Sequence, residues 1–477
     1  MISFSSIDIV IILFFFASIL FIGFYSGRKT SSQADDYLLS GRKVGLFLFI
    51  LTNVSTWYGG ILGVGEFTYR YGIVSWFTQG LPYYIFAFLF AIFFARKIRK
   101  ASLFTIPDKL TEVYGKQVGL LSAVIVFILV SPAPYLLMTA SLLSLLFNIS
   151  LLPALIIALI LSMAYLIKGG FRANIYADAL QFFVMFAGFI LIVVYSANTF
   201  GGINFLSESL PKDHLTLTGN TSITFVIVWF LIALWTFADP GFHQRCYAAK
   251  NGSVAVKGII ISIFFWALFD FLTTTTGLFS RAVLPDLANP VLSFPLYAEK
   301  VLPAGVKGIF YAALFATILS TLNSFLFLSG TTIGRDFIYR GVVPINGTKP
   351  DSHTIKDESK LKSYTITGLF ISGILAIVLA LLIPSVIEIW YTIGSLFIPA
   401  IILPVVSAYY PKIRINKIYL LIEMIAAIAA STIWYFVRTG LSKNQILFQV
   451  EPMLVGLFIA LIIHCFSLFI SGTRNRF

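Results

Sequence analysis

Between Ala316 and Ser324 the chain places Thr317, Ser320, Thr321 and Ser324 three and four residues apart. On a helix that spacing gathers four hydroxyls on one face. Hydroxyl oxygens are hard, neutral donors, suited to a small hard cation such as sodium when a neighbouring helix offers free backbone carbonyls beside them. Hydroxyls back-bonded to their own helix would show the same spacing, so both readings stand. Free carbonyls are written elsewhere in the chain. The segment Thr52–Gly65 carries Asn53, Ser55 and Thr56 followed by Gly59, Gly60, Gly63 and Gly65, and Trp235–Gly241 ends in Asp239-Pro240-Gly241. Glycine permits a turn and proline removes a backbone donor. In transporters built from inverted repeats, two such interruptions in corresponding positions mark where solute and ions bind. Close packing of small residues is the competing explanation. Two carboxyls complete the inventory. Asp178 falls near the inner end of an apolar stretch, within reach of Arg172 or of a cation moving inward. Asp270 falls midway through another, just before Thr273–Thr276. It is a protonated carboxyl held by those threonines, or a charge that answers a cation.

The elements that position these residues follow from composition. Of 477 residues, 58% are hydrophobic, 16% aromatic and 11% charged, where a soluble domain has roughly 25% charged. With 48 Phe and a mean hydropathy of +0.93, a water-soluble globule is excluded, and a membrane β-barrel would show alternation rather than long apolar runs. The fold class is all-α, polytopic and membrane-spanning. Apolar stretches predict thirteen helices, near 7–25, 44–69, 73–95, 118–147, 151–168, 176–199, 223–240, 256–280, 306–334, 364–383, 386–410, 417–437 and 452–472. The first is a retained helix rather than a signal peptide, because its basic flank, Arg28-Lys29, follows it. With the N-terminus outside and the C-terminus cytoplasmic, 26 of the 33 Lys and Arg fall on inner segments, which obeys the positive-inside rule. The net charge of +13 is therefore topological and implies no nucleic-acid partner. Residues 335–363 read as a cytoplasmic loop, and 200–222 and 281–305 as external stretches with short helices over the transport path. Cys246 and Cys465 are too far apart in sequence and too few for a disulfide scaffold or a Cys-rich metal site.

The chain resembles the sodium:solute symporter family, which includes sodium-coupled proline, sugar, sialic-acid, pantothenate and iodide carriers. The resemblance rests on motifs in order along nearly the whole length. They are Asp36-Tyr37-Leu38-Leu39-Ser40-Gly41-Arg42, the Ser-rich break, Gly169-Gly170 followed by Asp178 and Gln181, Gln244-Arg245 with Ala248-Ala249-Lys250, and Ser320-Thr321 followed by Arg335-Asp336-Phe337-Ile338-Tyr339. It implies an extra N-terminal helix (1–30), two inverted five-helix repeats (44–199 and 223–410) with broken first and sixth core helices, and two C-terminal helices (411–477). It also implies a main sodium site made of the carbonyls of Leu51, Val54 and Thr317 and the hydroxyls of Ser320 and Thr321. A second sodium would use Asp178, Asn323 and Ser324, with Asn323 departing from the family's serine. Asn53, Tyr58, Gln79 and Trp235 match the solute lining. Asp270 matches no ligand of the family.

The function expected is a sodium-coupled symporter that imports a small polar organic solute by alternating access, in the cell membrane, with a bacterial inner membrane as the expected location. Its partners are solute, sodium and the bilayer; sodium is the coupling ion and no other cofactor is implied. An uncoupled or proton-coupled carrier or channel of the same fold is the alternative. An enzyme would need histidine beside a carboxylate within the spans, yet His214, His243 and His353 read as loop or span-end residues and His464 stands by itself in the last span. No Lys or Arg is expected deep in the core, which argues against a solute carboxylate held by a buried base.

Overall fold

A computed structural model describes residues 3–31, 33–219, 221–340, 358–383, 385–442 and 446–474. Among these residues the chain is helical throughout, apart from an isolated bridge between Val44 and Ala249. Its long elements are α1 (Ser6–Gly27), α2 (Leu46–Ser55), α3 (Ile61–Tyr71), α4 (Trp76–Ala101), α5 (Lys116–Leu129), α6 (Ala133–Phe147) and α7 (Leu151–Phe200). They continue with α8 (Ile223–Ile232), α9 (Pro240–Ala248), α10 (Gly252–Val283), α11 (Val306–Thr331), α12 (Glu358–Leu382), α13 (Val386–Tyr409), α14 (Lys417–Thr439) and α15 (Pro452–Arg474). Eleven stretches are long and apolar enough to cross a membrane, or twelve when α2 and α3 form one bent span. Phe14, Phe264 and Phe469, each about two-thirds exposed or more, belong to the apolar outer surface that lipid covers.

The expected count of thirteen exceeds this by one because α7 counts once. Its 50 residues would reach about 75 Å at 1.5 Å per residue, more than twice a hydrocarbon core of roughly 30 Å. Gly170 interrupts it with φ 54° and ψ −143°, and a Cβ there would lie 2.3 Å from the Tyr37 carbonyl oxygen. A positive φ and a backbone at that distance both require glycine. The sequence places its boundary between two spans across this same residue.

Both expected helix breaks are present. The α2–α3 pair bends by 56° through a tight turn at Thr56–Tyr58. A Cβ on Gly59 would come within 2.3 Å of the Thr321 Cβ, so the missing side chain lets the break touch α11. The second break runs from α8 through the turn Ala233–Phe237 to α9. Pro240 opens α9, where its absent N–H costs nothing, and Asp239 caps it by accepting from the Phe242 N–H at 3.0 Å. The centre of the bundle is α11, which is buried along nearly its whole length and packs against α1, α6, α7 and α12. The external stretches contain the short helices Ile203–Ser209, Lys212–Leu215, Pro290–Leu292 and Ser293–Val301. Most of the loop expected at 335–363 falls at 341–357, outside the described residues.

Candidate functional site

The hydroxyl face of α11 meets the first break. Ser320 Oγ donates to the Ser55 carbonyl at 2.7 Å and Thr321 Oγ1 to the Thr56 carbonyl at 2.6 Å. Each also lies near the Thr317 carbonyl of its own helix, at 3.0 and 3.5 Å. The back-bonding read from the sequence is therefore present, together with cross-helix bonds to the first break that the spacing did not specify. Thr317 follows the back-bonding reading outright, its hydroxyl donating to the Leu314 carbonyl at 2.7 Å. The carbonyls that Ser320 and Thr321 touch belong to Ser55 and Thr56, while Leu51 and Val54 lie buried in the preceding turns of α2.

One turn further along α11 is a charged cluster. Thr52 Oγ1 donates to Asp178 Oδ2 at 2.5 Å, and Asn174 Nδ2 reaches Asp178 Oδ2 at 3.3 Å and Ser324 Oγ at 2.8 Å. Arg245 on α9 enters the same cluster. Its Nη2, with two protons, lies within hydrogen-bond distance of three hydroxyls, at 2.5 Å from Thr56 Oγ1 and 3.2 Å from Thr52 Oγ1 and Ser324 Oγ, and 3.8 Å from Asp178 Oδ2. Two expectations change here. Arg172 pairs with Asp36 at 2.9 Å rather than with Asp178, and a basic residue does lie in the core, since Arg245 is 3% exposed and Asp178 0%. The burial of Arg245 was not legible because α9 restarts after the break, so a residue expected in a basic-rich inner segment is carried back into the bundle. Of the three residues expected around a second sodium, Asp178 and Ser324 share this cluster. Asn323 turns away, its Nδ2 donating to the Tyr165 hydroxyl.

The residues matched to a solute lining occupy the two breaks and α4. Asn53 is buried with its Nδ2 unpartnered among the described residues. Tyr58 donates to the Trp266 carbonyl at 2.8 Å. Gln79 is half-buried in the widened turn Trp76–Gly80 of α4, and Trp235 is half-buried in the turn of the second break. Asp270 lies beside this set. The hydroxyl of Tyr84 donates to its Oδ2, the Tyr58 hydroxyl faces it, and the space a Cβ on Gly80 would need is taken by the Asp270 carboxylate. The expected threonine partners do not serve it. Thr273 and Thr276 donate to the backbone carbonyls of Asp270 and Leu272.

Two groups were not singled out from sequence. Just beyond the C-terminal end of α11, Asp108 Oδ1 pairs with Arg335 and lies 2.5 Å from Arg340 Nη2, while Thr105 Oγ1 donates to Asp336 Oδ1 at 3.0 Å. Burial opposes ionisation of Asp108, but the two guanidiniums and the Phe104 N–H hold its carboxyl below the usual carboxylate range. The Arg335-Asp336 motif was the available signal. In the last two helices His464 is not isolated. Its Nδ1 lies 2.7 Å from Glu423 Oε2 and its Nε2 2.9 Å from the Ile413 carbonyl.

The profile of the sodium:solute symporter family matches residues 37–426. The chain is 26% identical to a sodium/pantothenate symporter of Escherichia coli, over 74% of each protein. It is 25% identical to a high-affinity choline transporter of Caenorhabditis elegans, over 82% of this chain and 71% of that one. Its fold is similar to a substrate-bound outward-open state of a Na+-coupled sialic acid symporter, with a TM-score of 0.82 over 98% of both chains at 17% identity.

Proposed function

The chain belongs to the sodium:solute symporter family and is a sodium-coupled solute symporter of the membrane rather than an enzyme, and from that premise we propose that it imports a small polar organic solute by alternating access. The crossings number thirteen when α7 is divided at Gly170, with inverted repeats at 44–199 and 223–410, an external N-terminus and a cytoplasmic C-terminus. A cell membrane, the inner one in a bacterium, is the location.

The observation that carries the coupling is the pair of hydroxyls on α11 that donate to carbonyls of the first break. A hydroxyl has one proton and two lone pairs. Because Ser320 and Thr321 spend their protons on carbonyls, their lone pairs remain for a cation, and the broken turn supplies carbonyl oxygens from the other side. Sodium here, with the Thr317 carbonyl and those of Leu51 and Val54, bridges α2 to α11 and favours the arrangement in which the solute lining is ordered. That differential affinity is the linkage a symporter needs. One charge crossing about 100 mV is worth roughly 2.3 kcal/mol, about fifty-fold in solute concentration before the sodium gradient adds its share. Asn53, Tyr58, Gln79 and Trp235 offer amide, phenol and indole groups, which suit a sugar, amide or zwitterion.

The relatives named above carry solutes as unlike as pantothenate and choline, so neither name transfers. Asp270 beside Tyr58 favours a second reading, a solute bearing a cationic amine, because a carboxylate among aromatic rings attracts such a group. A thermal-shift screen of the purified chain against sugars, amino acids, carboxylates and quaternary amines, in sodium and then in potassium, tests both. The main reading expects upward shifts from neutral or zwitterionic solutes that appear in sodium and vanish in potassium. Shifts confined to quaternary or primary amines would replace it with the second.

A further inference from the structure

We infer that the guanidinium of Arg245 is the resident cation of the Asp178 pocket, so that this symporter binds one sodium ion, at Ser320 and Thr321, and excludes a second. The inference rests on the sodium site proposed above and concerns how many ions accompany the solute.

The two groups of hydroxyls differ in what faces their lone pairs. At the main site Ser320 and Thr321 donate to carbonyls and keep their lone pairs open. In the Asp178 pocket the hydroxyls accept. Ser324 Oγ receives one N–H from Asn174 and faces Arg245 Nη2 at 3.2 Å, so both of its lone pairs are turned toward N–H donors. The two protons of Arg245 Nη2 are shared among Thr56 Oγ1, the nearest at 2.5 Å, and Thr52 Oγ1 and Ser324 Oγ, both at 3.2 Å. Oxygens that face a guanidinium turn their lone pairs toward a fixed positive charge, which a metal ion would have to share, and Asn323, the remaining candidate ligand, is bonded to Tyr165 instead.

Charge points the same way. Asp178 is fully buried and Arg245 nearly so, and a buried carboxylate needs a compensating charge. Arg245 supplies it at 3.8 Å. Among the described residues Asp178 Oδ1 and Arg245 Nε lack hydrogen-bond partners. One is an acceptor and the other a donor, the complement that guanidinium and carboxylate use when they pair. A sodium ion in the same pocket would meet a guanidinium that cannot deprotonate. Arg245 also donates to the Gly241 carbonyl at 3.2 Å and is acted on by Asp239, so its contacts reach α2, α7, α9 and α11 from a single side chain. Its charge is part of the transport core and stays with the protein through the cycle.

The test is equilibrium binding of radioactive sodium to the purified full-length chain, counted per molecule. Wild type should bind one ion, and Asp178→Asn should keep half-saturation within about twofold. Arg245→Gln should bind two, and the double variant Arg245→Gln/Asp178→Asn one. Two ions on wild type, a loss of about tenfold or more in affinity with Asp178→Asn, or a folded Arg245→Gln that still binds one would each overturn the inference. Should Arg245→Gln not fold, the wild-type count and Asp178→Asn decide it. Ser320→Ala and Thr321→Ala separate this inference from the reading it rests on. If they leave sodium affinity intact, the main site is wrong whatever the count.

Discussion

The cation chemistry proposed for this protein resides in hydroxyls whose role depends on the direction of one proton. Replacing Ser320 or Thr321 by alanine removes a cross-helix hydrogen bond and, on the proposed site, a neutral ligand, a loss of about 1–3 kcal/mol. Sodium half-saturation should rise roughly tenfold in each variant while the fold persists, as a sodium titration of thermal stability would register. Asp270 is argued from its partners. Asp270→Asn keeps a carbonyl for the Tyr84 hydroxyl, so its melting temperature should stay near wild type, whereas Asp270→Ala strands that buried hydroxyl and should cost about 1–3 kcal/mol. Equal losses in both would show that charge, and not the hydrogen bond, holds the site. The hydroxyl face of α11 was legible because a three-and-four spacing survives any tertiary context. Its partners were not. Which carbonyls it meets, and that Arg245 enters between Thr56 and Ser324, depend on how α9 restarts after Pro240, a direction that no local pattern encodes.

At the scale of elements, the breaks were legible for the opposite reason. Glycine and proline act on the backbone where they stand, so Gly59-Gly60 and Asp239-Pro240-Gly241 marked both interruptions, and Gly169-Gly170 fell on the kink inside α7. The Arg335–Asp108 and His464–Glu423 pairings stayed hidden because each joins residues far apart in sequence. Contact between the first break and α11 should depend on the absent side chain of Gly59. Gly59→Ala would press a Cβ to within 2.3 Å of the Thr321 Cβ, so the helices must separate, costing about 1–3 kcal/mol by overpacking and weakening sodium together with stability. Gly45→Ala is the control. It has negative φ and nothing within 4 Å of the added atom, so it should leave both within about 0.5 kcal/mol of wild type. If the two variants behaved alike, close approach would not be what the glycine provides.

For the whole molecule, alternating access on the proposed topology requires the cytoplasmic side to close and reopen, and the Asp108 cluster would tie together parts that must then separate. Asp108 belongs to the helix Ile106–Tyr114, between α4 and α5, while Arg335 and Arg340 follow α11. On the proposed division these are different repeats. Joining them favours the inward-closed arrangement, and Asp108→Asn should shift the population toward inward-open, raising the reactivity of a cysteine placed beneath the break toward a thiol reagent added from the cytoplasmic side. Unchanged reactivity would mean that the pairing does not bear on the gate. The pH dependence has a definite sign. The carboxyl of Asp108 is held below its ordinary value, with burial opposing ionisation and the guanidiniums overcoming it. A carboxylate of this kind binds fewer protons folded than unfolded, so its contribution is fully present above the unfolded-state value and is lost as pH falls through the lower folded-state one. The stability difference between wild type and Asp108→Asn should therefore be constant from neutral pH down to the ordinary carboxylate range and shrink only on further acidification. Melting curves of both proteins across that range check it, and a difference that disappeared between pH 8 and 6 would place the controlling titration on another group.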